Sequence, residues 1–160
     1  MGVPRLFKYI VDNFPNSIKN IHFPIKNVID VEYLYIDANS ILHMAAQVVY
    51  NYGTYKRMLS SYSNLTPDEK LKKVFDLFWN EIIDIITMVT PITLLYISLD
   101  GVAPLAKQNQ QRQRRFVAAK SYNPYFNSNS ISPGTMFTHY FTNFMKFKIR
   151  EEMNNRKSLK

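Results

Sequence analysis

The sequence predicts an α/β fold with a parallel sheet flanked by helices, and three observations carry that expectation. Two runs rich in β-branched and aromatic residues, 31–37 (VEYLYID) and 92–100 (ITLLYISLD), each leave on an aspartate. Between them lies a long helical segment with a strong start at Thr66. A cationic helix opened by Pro104 follows the second run almost at once. Strand, helices, strand in that order implies a right-handed crossover within one parallel sheet, which brings Asp37 and Asp100 to the same carboxyl edge.

Residues 3–14 read as a short amphipathic helix. Pro4 suits its first turn, Leu6, Phe7, Ile10, Val11 and Phe14 recur at helical spacing, and Pro15 ends it. Residues 16–31 are a turn-rich connection. After the first strand, residues 38–50 read as a helix with Asn39 or Ser40 near its N-cap, and 51–65 as a Tyr/Ser/Asn loop. Thr66-Pro67-Asp68-Glu69 combines an N-cap, a proline at the first helical position and a capping-box glutamate. That helix should run to about Thr90, bury Leu71, Val74, Phe75, Phe78, Ile82 and Ile85 or Ile86, and stop at Pro91. Run 92–100 is nearly continuous in apolar character, as a parallel strand covered on both faces should be. Residues 121–135 read as a polar loop. Residues 135–153 form a last helix whose apolar content is Phe137, Tyr140, Phe141, Phe144, Met145 and Phe147. Two strands alone leave two unpaired edges. Either weaker strands lie in 16–31, or the chain is the front part of a larger domain.

At 160 residues, the chain is one domain's worth. A hydrophobic share of 46%, with 11 Tyr and 11 Phe, argues for a packed core rather than disorder. With no cysteine, disulfides, zinc–thiolate sites and thiol catalysis are excluded. The N-terminus lacks a signal-peptide pattern, and Glu81, Asp84 and Thr87 interrupt the apolar stretch 82–89, so the expectation is an intracellular protein, cytoplasmic or nuclear, and not secreted. The net charge of +8 is unevenly placed: residues 1–100 carry 9 Lys and Arg against 10 Asp and Glu, whereas 101–160 carry 11 against 2. One basic end on a near-neutral body is the electrostatic pattern of a polyanion binder.

The chemistry concentrates at the predicted sheet edge. Two carboxylates converging there repel each other unless a cation lies between them, and hard oxygen ligands suit Mg²⁺ or Mn²⁺. Each aspartate equally suits capping of the helix that follows its strand. Lys107, Gln111, Arg114 and Arg115 stand at i, i+4, i+7 and i+8 and fall within a helical arc of roughly 100°, whereas Arg112 points elsewhere. Three cations and an amide on one face can surround a single phosphate, although a solvated polar helix has the same composition. His43, six residues past Asp37, is near enough to the edge to contact a bound base or phosphate. Packing alone would equally explain it. There is no Ser-His-Asp arrangement, P-loop or dinucleotide fingerprint.

Four blocks carry a resemblance to a known family: MGVPRLFKYI at the start, LYIDANSILH at 34–43, ISLDGVAPLAKQNQQRQRRFVAAK at 97–120 and FNSNSISPGTMF at 126–137. Together they resemble the N-terminal part of the eukaryotic 5′→3′ exoribonucleases, cytoplasmic and nuclear. The resemblance implies a flap-endonuclease-like, PIN-like nuclease core that uses Mg²⁺ (or Mn²⁺) to remove nucleotides from single-stranded RNA bearing a 5′-monophosphate. Carried over by position, Asp37 and Asp100 would be metal ligands, Lys107, Gln111, Arg114 and Arg115 the 5′-phosphate pocket, and His43 a contact to the first nucleotide. Asp37, Asp100 and His43 would then form the catalytic set.

Two departures from the family pattern matter. Leu105 stands where the family typically has arginine after DGVAP. The family also completes its metal site with acids well beyond the SPGT block, whereas after Asp100 the only acids here are Glu151 and Glu152. Residues 1–160 are therefore expected to be the N-terminal portion of an exoribonuclease domain, incomplete on its C-terminal side. Alone it should have little or no nuclease activity, with a downstream segment or second polypeptide completing the site. The rival readings are a non-cutting remnant that binds RNA 5′ ends or a protein partner, and a structure-specific DNA nuclease of the same superfamily.

Overall fold

The structure, a computed structural model, describes residues 5–18, 29–55, 62–120 and 126–155. The main elements are α1 (Leu6–Asn13), β1 (Ile29–Asp37), α2 (Asn39–Tyr50), α3 (Pro67–Met88), β2 (Val89–Ser98), α4 (Leu105–Lys120) and α5 (Met136–Asn155). Strands β1 and β2 pair in parallel across the crossover through α2 and α3, so the α/β architecture expected from the sequence is present.

The order of strand and helix follows from local chemistry. Thr66 Oγ1 accepts from the Glu69 N–H at 3.3 Å, and Glu69 Oε2 accepts from the Thr66 N–H at 2.8 Å, closing the capping box that the sequence specified. From this start α3 runs 22 residues and buries Val74, Phe75, Phe78, Trp79, Ile82 and Ile86. Across from it α2 buries Leu42, Ala45, Ala46 and Val49. The small Ala45 and Ala46 let the two helices approach closely. Phe75 and Phe78 then meet Phe141 of α5 at ring-centroid distances of 5.2 and 4.8 Å, which closes the core from the third side. At the C-terminus of α2, Asn51 takes a left-handed conformation (φ 53°), which Asn tolerates better than most residues. Tyr50 stacks on Phe126 at 4.2 Å, pinning the start of the 126–135 segment to α2.

Three expectations need correction. The α3 helix ends at Met88, not near Thr90, and Pro91 lies inside β2 instead of ahead of it. A proline pushes its preceding residue toward extended backbone, so Thr90 already belongs to the strand. Pro91 brings no N–H to the ladder, and the register shifts there: Val31 pairs with Pro91 but Tyr33 with Leu94, one extra residue on β2. Strand β2 also ends earlier than expected, at Ser98, leaving Leu99 and Asp100 beyond it.

The second correction concerns the sheet faces. Leu34, Ile36, Leu95 and Ile97 face the helical core, but Tyr33, Tyr35, Ile92, Leu94 and Tyr96 are exposed, with the Tyr35 and Tyr96 rings 5.8 Å apart. Among the described residues the sheet is covered on one face only. Thirdly, α1 forms, but its apolar stripe buries nothing, and Phe7 is 70% exposed. Residues 1–4 and most of 16–31, including any weak strand there, lie outside the described residues.

Candidate functional site

The two strands deliver their aspartates to one edge. Asp37 pairs with Ser98 as the last rung of the ladder, and the Ala38 N–H donates to the Ser98 carbonyl at 2.9 Å, extending the pairing one residue further. Asp37 and Asp100 therefore both leave the sheet on its carboxyl side, and both are exposed.

Asn39, the first residue of α2, ties the two acids together. Its backbone N–H donates to Asp37 Oδ1 at 3.4 Å, and its side-chain amide donates to Asp100 Oδ2 at 3.0 Å. The N-cap position itself is Ala38, which offers no side-chain oxygen, so Asp37 supplies one from a residue earlier. The capping reading of Asp37 thus holds in a weak, long form. Asp100 caps nothing comparable, since α4 begins only at Leu105. The positive end of the α2 dipole faces this pair of carboxylates and eases their repulsion.

Asp100 lies on the wall of a cavity of about 510 Å³. His43 comes from α2, Gln111, Arg114 and Arg115 from α4, and Leu42 and Phe141, both buried, form the apolar floor. The far wall is residues 128–134, continued by Thr138 and Thr142 of α5. A hydroxyl network stiffens that wall. Thr135 Oγ1 accepts from the Thr138 N–H at 3.3 Å, and both threonine hydroxyls donate to the Ser132 carbonyl, at 2.9 and 3.0 Å. Gly134 turns the chain with φ 84°, a conformation that side-chain-bearing residues resist. Asn129 donates from Nδ2 to the Arg115 carbonyl at 3.4 Å, joining the wall to α4.

The electrostatics divide across the cavity. Arg114 and Arg115 are exposed and form no ion pair among the described residues. His43 is half-buried. Burial lowers its pKa below the ordinary 6.5, and the Asp100 charge opposes that only in part, so the imidazole is neutral at pH 7. A neutral ring can both accept and donate a hydrogen bond.

Of the residues singled out in the sequence, the fold gathers Asp100, His43, Gln111, Arg114 and Arg115 around one space. Asp37 stands behind Asn39 and does not line that cavity, and Lys107, half-buried near the start of α4, does not line it either. Arg112, set aside by the helical arc, lines an adjoining cleft of about 280 Å³ that shares Gln111, Arg115 and Pro133 with the first. Sequence reasoning missed Asn39 as a bridge, because its place at a helix start suggested a cap. The hydroxyl-rich wall falls within the FNSNSISPGTMF block, where no spacing rule marks it as part of a site. Leu105, which stands where the family pattern has arginine, is 82% exposed. Among the described residues no three Asp, Glu, His or Cys side chains gather as a metal-holding group.

A parallel α/β unit with acids at the carboxyl ends of adjacent strands and cations on the next helix belongs to the PIN-like nuclease class. The family model described as the XRN 5′-3′ exonuclease N-terminus matches residues 1–125. The chain is 30% identical over 171 residues to 5′-3′ exoribonuclease 1 of Saccharomyces cerevisiae, covering 97% of this chain and 10% of that protein. It is 30% identical over 173 residues to 5′-3′ exoribonuclease 1 of Schizosaccharomyces pombe, covering 97% of this chain and 12% of that protein. It is 29% identical over 201 residues to the 5′-3′ exoribonuclease 2 homolog of Drosophila melanogaster, covering 97% of this chain and 20% of that protein. The chain belongs to the XRN 5′-3′ exonuclease N-terminus family. It spans about a tenth to a fifth of the length of these curated relatives. No helix of the described residues is long and apolar enough to cross a membrane.

Proposed function

We propose that this chain is the N-terminal portion of a 5′→3′ exoribonuclease domain, that it holds the 5′-monophosphate of single-stranded RNA, and that it contributes part of a Mg²⁺ (or Mn²⁺) site. The observation that carries the reading is the shared cavity, in which the Asp100 carboxylate and the Arg114 and Arg115 guanidiniums face one space large enough for a terminal nucleotide.

In this reading the arginines and the Gln111 amide donate to the terminal phosphate. Charge-assisted hydrogen bonds of this kind contribute about 1.5–3 kcal/mol each where water is partly excluded, and less where the guanidiniums stay open to solvent. Lys107, one helical turn before Gln111, adds to the field without entering the cavity. The neutral His43 imidazole contacts the first nucleotide and leaves the phosphate to the arginines. Asp37 and Asp100 suit one hard cation, because Mg²⁺ is commonly held by one or two carboxylates with water and phosphate oxygens completing its shell. When bound, the cation would activate water and neutralise charge developing on the leaving oxygen. Asn39 fixes Asp100 by one oxygen and leaves the other free.

The donor set does not extend to two ions. That favours a second reading, in which the chain binds RNA 5′ ends without cutting them unless another segment or polypeptide brings further acids. One experiment separates the two: incubate the chain with 5′-phosphorylated and 5′-hydroxyl RNA of one sequence, with and without Mg²⁺. Phosphate-dependent binding without shortening supports the non-cutting form. Mg²⁺-dependent release of mononucleotides supports the enzyme. Equal binding to both ends removes the phosphate pocket from either account, and a preference for flapped DNA would favour a DNA nuclease instead.

A further inference from the structure

We infer that the outer face of α5 is a stacking platform for single-stranded RNA, a contact separate from the 5′-phosphate pocket and indifferent to what the RNA end carries. That the strand is RNA rests on the proposed function. The platform itself rests on α5 alone.

The geometry follows from how α5 is fixed. Phe137, Phe141 and Met145 are buried, and the Phe137 and Phe141 rings stand 5.5 and 5.2 Å from Phe75 of α3, which sets the helix about its own axis. At about 100° per residue, His139, Tyr140, Asn143, Lys146, Phe147 and Arg150 fall within an arc of roughly 120° on the opposite side. All six are exposed. Tyr140 and Phe147 leave 50% and 62% of their surface open, so the core that holds the helix uses little of either ring. Thr138 and Thr142, which line the cavity, lie on another side of α5, so the platform takes a stretch of RNA other than the terminal nucleotide.

Rings and cations share this arc. Tyr140 and Phe147 are about 10 Å apart along the axis, the rise of about three stacked nucleotides. Lys146 and Arg150, one turn apart, repel each other mildly, and neither forms an ion pair among the described residues. Glu151, which borders the arc, is already answered by Lys148 Nζ at 2.7 Å. A phosphate between Lys146 and Arg150 relieves their repulsion while the bases on either side lie against the rings. Lys148 Nζ stands 6.0 Å from the Phe147 ring centroid, at the outer limit of a cation–π contact, so a stacking base displaces little there. His139 Nε2 and Asn143 Nδ2, 3.2 Å apart, add polar groups suited to base edges or ribose hydroxyls. A lipid surface fits less well, because it favours a continuous apolar face, and here the two rings share theirs with two cations, an imidazole and an amide.

The test measures equilibrium binding of the full chain, without divalent ions, to one single-stranded RNA carrying either a 5′-hydroxyl or a 5′-monophosphate. Phe147→Ala and Tyr140→Ala should each weaken binding to both forms by about tenfold, the loss of one stacked base, and leave the preference for the phosphate unchanged. Phe147→Tyr should keep the parent affinity. Lys146→Ala should reduce the slope of log K against log salt by about 0.7, one phosphate contact on a single strand. Urea midpoints should match the parent's, since no buried contact is lost. Ring variants that bind 5′-hydroxyl RNA as the parent does would overturn the platform while leaving the pocket intact. So would losses as large on duplex RNA, whose bases are not open to stacking, or a Phe147→Ala defect seen only with vesicles of anionic lipid. A parent indifferent to the two RNA ends, with the ring variants still tenfold weaker, would overturn the pocket reading and leave the platform standing.

Discussion

The Asn39 side-chain amide donates to Asp100 Oδ2 at 3.0 Å across 61 residues of sequence, so the start of α2 holds the acid that leaves β2. With the longer bond from the Asn39 N–H to Asp37 Oδ1 at 3.4 Å, one residue donates to both carboxylates.

Asn39→Ala should therefore act on the site more than on the fold. The lost hydrogen bond is exposed, and its contribution to stability is about 0.5–1.5 kcal/mol at most. Mg²⁺ affinity should fall more clearly, because Asp100 loses its fixed orientation and the carboxylates repel without an amide between them. Metal titration by calorimetry beside a urea melt checks this. Unchanged metal affinity with a large stability loss would make Asn39 a structural residue only.

The cationic face divides into strong and weak positions. Arg114→Ala should weaken binding to 5′-phosphorylated RNA by about tenfold and barely change binding to 5′-hydroxyl RNA. Lys107→Ala, on the same arc but outside the cavity, should cost several-fold less. Anisotropy titrations at two salt concentrations decide it. Equal losses on both RNA ends would reduce the face to a general basic patch.

Much of the architecture was legible in the sequence, for identifiable reasons. The Thr66–Glu69 box and the aspartate that ends β1 are local signals, and both survive folding. The face of β2 was not legible. A continuous apolar strand looks the same whether one side or both are covered, and here Ile92 and Tyr96 stay open among the described residues. Pro91 was misplaced because a proline after a helical run signals both a helix stop and an edge-strand irregularity. The site was legible as far as one helix face could show it. The link between Asn39 and Asp100 depends on strand pairing, which no spacing rule within α2 contains.

The Thr66 box also yields a stability prediction. Thr66→Ala should destabilise the chain by about 1 kcal/mol, since it leaves the Glu69 N–H without its side-chain acceptor at the start of the helix that carries Phe78 and Ile82. Thr66→Ser should restore most of the loss. A urea midpoint unchanged by Thr66→Ala would mean that α3 is held by its packing alone.

The pH dependence of stability should bear the mark of His43. Its folded pKa lies below 6.5 because burial disfavours the charged ring, while the Asp100 charge acts in the other direction. Between the folded value and 6.5 the unfolded chain binds more protons, so stability rises with pH across that window. Above 6.5 the ring is neutral in both states and the contribution is full. As pH falls through the folded value it is lost, because holding the ring neutral, or burying it charged, then opposes folding. His43→Gln keeps a polar side chain without the titration. Urea midpoints from pH 5 to 8 should fall less steeply toward acid in the variant than in the parent. Identical slopes would mean that His43 titrates at its unfolded value, contrary to its place against Leu42 and the cavity floor.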